Sequence, residues 1–297
     1  MIARRFAQYL LKSRLHAVML AVIFAIVPFF SWVSAVIVAL VTLRKGIREG
    51  FLVLMWSLLP AVVTMVVAHQ WLFGVHAIFG SALAWLLASV FLRRPNWRDL
   101  IILATFIAVI AVLLFHWLMP DAHAWWVSLL KGNAKPIEGT LKMTAQEESR
   151  VAEAADRLAY FAVGLNAAYL ALSTLVELWF ARIVDKLLPK PVQADTEKTE
   201  LRMPFWFAAL AVLVVLGATF KLRWLYDYLP LVGLPFFVAG LSGLVRFLLK
   251  RFSPLTVLFI FIVLFIVIMF IPVIAASIAV YALLDSLIDL RRFKAGK

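Results

Sequence analysis

The chain has 297 residues, 65% hydrophobic and 15% charged, with a mean hydropathy of +1.00 and a formal net charge of +13. A water-soluble core cannot hide that share of apolar side chains. The solvent is therefore a bilayer, and the fold class is all-α, a polytopic transmembrane helix bundle. The count of Cys is 0, which excludes disulfides, thiol nucleophiles and cysteine-ligated metals.

Met1–Leu15 is a basic amphipathic lead-in carrying Arg4, Arg5, Lys12 and Arg14, suited to lying along the inner leaflet. The apolar run that follows continues to Leu43 without a small-residue cleavage site, so no cleavable signal is expected. Residues 16–297 are expected to form one transmembrane helical domain. Ala17–Leu43 reads as two short helices meeting near Pro28–Ser34, with a single kinked span as the alternative. The cluster Arg44-Lys45-Gly46-Ile47-Arg48 closes this hairpin. Phe51–Val67 and Val75–Leu92 form the next pair, joined by His69-Gln70-Trp71, and Arg93-Arg94 returns to the basic side. Leu100–Met119 is the fifth span.

Residues 120–159 are expected on the outer side. Thr144-Ala145-Gln146-Glu147 then has the spacing of a capping box, in which the hydroxyl and the carboxylate satisfy orphan amides at a helix start. No proline follows before Leu188 and Gly164 is the sole glycine, so one long helix is predicted, membrane-spanning from about Tyr160 to Phe180. Residues 182–204 read as a charged cytoplasmic linker. Phe205–Phe220 and Leu231–Leu249 are the seventh and eighth segments. Leu255–Leu290 is too long for one crossing and carries Pro272 at its centre, so it splits into a terminal hairpin. Eight to ten membrane segments result.

Charge sets the expected orientation. With both termini cytoplasmic, only Lys131, Lys135, Lys142, Arg150, Arg157, Lys221 and Arg223 of the 29 Lys and Arg fall outside. This is the excess of inner cations that the positive-inside rule describes.

Catalytic signals are absent from the sequence. There is no Gly-rich phosphate loop, no His-Glu-x-x-His and no Gly-x-Ser-x-Gly. A non-enzymatic protein with no cofactor and no metal is expected, and the histidines read as interfacial or packing residues. Polar residues inside spans carry more information because burying them is costly. Asn166, Ser173 and Glu177 share one face of the sixth span. They read either as helix–helix glue, with Glu177 snorkelling or pairing with Arg182, or as polar contacts to a ligand. The loop His69-Gln70-Trp71 would contribute to the mouth of such a site. Ala17, Ala21 and Ala25 recur every fourth residue, which permits close helix approach, either internally or against another membrane subunit. Asp285 and Asp289 sit one turn apart before Arg291 and Arg292. They read as an ion-paired helix end or as a contact for a cytoplasmic partner.

The opening hairpin into Arg44-Lys45-Gly46, the stretch Leu201-Arg202-Met203-Pro204, and the closing Leu284-Asp285-Ser286-Leu287-Ile288-Asp289-Leu290-Arg291-Arg292 resemble the YybS-like family of bacterial multi-spanning membrane proteins. That family is distantly similar to the substrate-binding S-components of energy-coupling-factor transporters. The resemblance implies a multi-pass protein of the bacterial inner membrane that takes part in transport of a small molecule or lipid-like ligand. In it, Ala17, Ala21 and Ala25 would dock on a coupling subunit. S-components are usually six-helix proteins, and the segments here are more numerous. The alternative is a non-transporting scaffold or assembly factor whose linker and C-terminal end recruit cytoplasmic partners. Beyond the bilayer, the partners expected are another membrane subunit and a small-molecule ligand, with no nucleic acid.

Overall fold

The computed structural model describes residues 2–27, 30–67, 69, 71–133, 144–189, 192 and 201–288. Every regular element among them is helical. The chain divides into two units, residues 1–104 with 169–200, and residues 105–168 with 201–297.

Unit 1 begins with α1 (Ile2–Lys12), which buries Ala7 and Leu10 and exposes Arg4, Arg5 and Lys12. The chain then turns by 118° into α2 (Arg14–Ile26). Ser13 makes that turn. It adopts extended backbone, and its Oγ accepts a hydrogen bond from the His16 N–H at 3.2 Å, satisfying one amide that has no partner within the helix. After a break, α3 (Ser31–Lys45) packs on α2, so the expected opening hairpin is formed. Ten consecutive residues of α3, Ser34 to Leu43, are buried. A helix enclosed on all sides needs no polar face, and here only small or aliphatic side chains, with Thr42, fill that stretch.

Gly46 joins α3 to α4 (Ile47–Ser57) with φ 95°, a conformation in which a Cβ would be strained. α4 and α5 (Leu59–Val67) form one 21-residue apolar stretch across the turn at Leu58. α6 (Trp71–Arg93) packs on α3 and α5, and the Trp85 indole N–H donates to the Ile47 carbonyl at 3.1 Å. The remaining parts of unit 1 are the start of α7 (Trp97–Leu118) and the end of α9 (Ala145–Lys186). α6 and α9 run parallel: His76 stacks on Tyr169 at 5.4 Å, and some four turns later Arg182 lies over Phe91 at 5.6 Å.

The single long helix expected after the capping box is present as α9, with 42 residues. Its start is built as the motif predicts. The Thr144 N–H donates to Glu147 Oε2 at 2.8 Å, and the Glu147 N–H donates back to Thr144 Oγ1 at 3.4 Å. The helix continues to Lys186, so the first residues of the stretch expected as a linker are helical instead. The gathering of charge at Arg182–Lys186 resembles a linker in sequence, but it is stabilised in the helix by burial and ion pairing described below.

Unit 2 holds the rest of α7, then α8 (Ala122–Asn133), the first part of α9, α10 (Phe205–Thr219), a 3₁₀ turn over Arg223–Tyr228, α11 (Leu229–Leu249), α12 (Pro254–Phe270) and α13 (Pro272–Ile288). α11 packs closely on α13, and α10 contacts both. Ser253 caps α12 by accepting from the Thr256 N–H at 3.3 Å, and Pro254 follows at the first turn, where no amide partner is lost. α12 and α13 meet at Pro272 with a 110° bend, the geometry of a broken span or a re-entrant pair.

Each of the ten sequence segments lies on a helix or helix pair. By length and composition, five helices can cross a membrane, or seven if each bent pair counts as one span, and Phe205–Thr219 is a shorter apolar helix. The short helices α2, α3, α10, α12 and α13 make the difference from ten. The surface supports a membrane setting independently. Only 28% to 44% of each full-length apolar window is buried inside the protein, and Phe259, Phe265 and Leu213 are about two-thirds exposed. Meanwhile Thr42, Thr174, Arg182 and Asp185 are enclosed. Continuous apolar surface with polar groups inside is the arrangement a lipid solvent selects. This chain is a multi-pass membrane protein.

Candidate functional site

Three polar centres are built into the helices. The first lies at one end of unit 1. Asp185, on the last turns of α9, is fully buried, and its carboxylate pairs with both the Arg44 and Arg182 guanidinium groups. Arg44 also donates to the main-chain carbonyls of Asp185 (2.8 Å) and Pro189 (3.0 Å), and the Val192 N–H donates to the Asp185 carboxylate at 3.1 Å. Arg182 is 2% exposed, with Phe91 beneath its guanidinium. Two cations thus share one buried anion. Such a group is tolerated because nearly every charged atom is engaged; removal of one partner would strand another. Arg14 and Glu49 form a second, exposed bidentate pair, at 2.8 and 2.5 Å. An open groove of about 560 Å³ runs beside the cluster, lined by Gln8, Tyr9 and Lys12 of α1, Arg44 of α3, and Leu188 and Pro189 after α9. Stretches of chain far apart in sequence thus bring their cations to one place.

The second centre is Glu177, one turn and a half before Arg182 on α9. It is 8% exposed, and its Oε2 has no hydrogen-bond partner among the described residues. The expected pairing with Arg182 is not made, because Arg182 turns to Asp185. Snorkelling is also not what occurs, since the carboxylate is inside. Thr174, three residues earlier, is fully buried and closes its hydroxyl onto the Leu170 carbonyl at 2.8 Å.

The third centre is in unit 2. Asp227, in the 3₁₀ turn, is 6% exposed. Its Oδ1 accepts from the Gly164 N–H of α9 at 2.9 Å, and its Oδ2 lies 2.8 Å from Nε2 of His116 near the end of α7. Gly164 is needed for this approach. A Cβ there would overlap the Asp227 carbonyl oxygen. Aromatic groups surround the turn: Phe161 stacks on Tyr226 at 5.4 Å, and the Tyr160 ring takes His123 at 4.2 Å and the Arg223 guanidinium at 5.5 Å.

The residues singled out from sequence fall as follows. Ser173 and Glu177 stand on one stripe of α9, Ser173 half-buried with its hydroxyl on the Leu170 carbonyl (3.0 Å) and Glu177 enclosed. Asn166 has the right helical phase but is exposed, so the three do not form one enclosed set. His69 is exposed with φ 52°, Trp71 is exposed at the start of α6, and Gln70 lies outside the described residues. Ala17 and Ala21 are buried, with Ala25 partly so, and α2 packs on α3, α4 and α5. That small-residue face is therefore covered from within the chain. Asp285 is buried on α13 beside Ser286, while Asp289, Arg291 and Arg292 lie outside the described residues.

Family models, curated proteins and solved structures return no match to this chain. The functional reading therefore rests on the three centres themselves.

Sequence reasoning did not find Asp185 or Asp227. Asp185 sits in what reads as a linker, and Asp227 in what reads as an outer turn. One signal was available for Asp227: a lone glycine in a 42-residue helix, a costly choice unless something must come close.

Proposed function

We propose that this chain is a ligand-binding component of a membrane transport system, taking a small molecule or lipid-like ligand among the helices of unit 1. Glu177 is the observation that carries the reading. An enclosed intramembrane carboxylate with an unpartnered oxygen is costly and is retained where a ligand, ion or proton completes it. Its chemistry favours a ligand with an amine or other cationic group, with Ser173 one turn away on the same stripe. The reading is non-enzymatic, with the chain in a bacterial inner membrane and both termini cytoplasmic. It keeps the resemblance to the YybS-like family and to S-components. Because Ala17 and Ala21 are already covered, a coupling partner would have to meet a different surface.

Native mass spectrometry after gentle extraction from the source membranes tests this. A small molecule that co-purifies with the wild type and is lost in Glu177→Gln, with the helical content unchanged, is the expected result. Bare protein carrying only bulk lipid in both cases would overturn the reading and leave the scaffold alternative.

A further inference from the structure

The groove at the basic end of unit 1 has a chemistry separate from that of Glu177. Arg44 lines it, with its guanidinium held by the buried Asp185 carboxylate that it shares with Arg182. Its rim is Lys12, which is exposed and makes no ion pair among the described residues. Tyr9, Leu188 and Pro189 add apolar wall, and Gln8 adds an amide. The groove is shallow and open to the surface.

The setting of α1 narrows the occupant. The helix is held to α2 by Tyr9 on His16 at 4.5 Å and by Phe6 on Phe24 at 6.3 Å. With α2 taken as crossing the bilayer, the 118° turn between them would set α1 nearer the bilayer plane than its normal. It buries Ala7 and Leu10 and presents Arg4, Arg5 and Lys12 outward. An in-plane helix with that division sits at head-group depth. A cationic groove at that depth, with apolar walls, matches a phosphodiester attached to a glycerol backbone. We infer that this groove binds the head group of an anionic phospholipid, with Lys12 contacting the phosphate and Arg44 supplying fixed positive charge behind it. Tyr9, Leu188 and Pro189 would flank the glycerol and the first acyl carbons.

Native mass spectrometry of the full-length protein tests this, using phosphatidylglycerol and phosphatidylcholine supplied in equal amounts. Preferential retention of phosphatidylglycerol is expected. Lys12→Gln should cut that preference about fivefold, the value of one cation facing an anionic head group. Gln has helix propensity close to that of Lys, so the variant should fold. Lys250→Gln, which removes an exposed lysine of unit 2, should leave the preference unchanged. Equal retention of the two lipids would overturn the inference, as would a Lys12→Gln effect no larger than that of Lys250→Gln. Displacement of the lipid by millimolar inorganic phosphate would also overturn it, in favour of a free-anion site.

Discussion

Asp227 approaches Gly164 so closely that its carboxylate caps an amide in the middle of a continuous helix while its own carbonyl fills the space a side chain would need. A carboxylate enclosed in this way is held by two donors, the Gly164 N–H and His116.

Gly164→Ala should therefore destabilise the protein although alanine is the better helix former. The overlap with Asp227 should cost about 1–3 kcal/mol, the usual range for overpacking, against a helix-propensity gain of about 1 kcal/mol. Thermal unfolding in detergent checks this, with Gly132→Ala as control. Nothing lies within 4 Å of a Cβ at Gly132, so that change should be neutral or stabilising.

His116→Leu should leave Asp227 half-satisfied, at a cost of about 1–3 kcal/mol. The double change His116→Leu with Asp227→Asn should cost less than the sum of the two single changes, because both remove the same contact. Additive losses would show that the 2.8 Å approach contributes little.

Asp185→Asn should be the most damaging of the charge changes. It leaves Arg182, 2% exposed, and Arg44 without their shared anion, and breaking buried pairs of this type costs about 3–5 kcal/mol. Glu49→Gln breaks a pair whose arginine side chain is 59% exposed and screened by solvent, so it should cost far less. Melting temperatures of the two variants should separate clearly.

Much of this organisation was legible in the sequence, and the division follows the range of the interaction. The hairpins, the capping box at Thr144 and Glu147, and the unbroken run to Lys186 depend on neighbours a few residues apart, so local pattern reveals them. The ion cluster joins residues 141 apart and the Asp227 contacts span 63 and 111 residues. No periodicity encodes such pairings. Asn166 makes the same point from the other side. Its helical phase matches that of Glu177, but which turns of a stripe are covered is decided by the helices that pack there, and at Asn166 the stripe is open.

Glu177→Gln should raise the melting temperature or leave it unchanged. The carboxylate Oε2 has no partner to lose, and a neutral amide is cheaper to enclose than a charge. A gain in stability joined to a loss of ligand retention is the pattern of a residue kept for function. A clear loss of stability would mean that the carboxylate supports the fold.

Thr144→Ala should weaken the start of α9 by about 0.5–2 kcal/mol, the usual value of an N-cap. Hydrogen exchange at Gln146–Glu148 should accelerate while the amides around Thr174 stay protected.

The late position of Asp185 has a consequence for biosynthesis. Arg44 enters the membrane environment with the first helices, but its acidic partner is translated 141 residues later, after α7, α8 and most of α9. At about 5–20 residues per second the delay is roughly seven to thirty seconds. For that interval the nascent helices of unit 1 lack the Asp185 carboxylate on which the finished cluster closes. A chain arrested or truncated before residue 185 should therefore be an early substrate for membrane quality control.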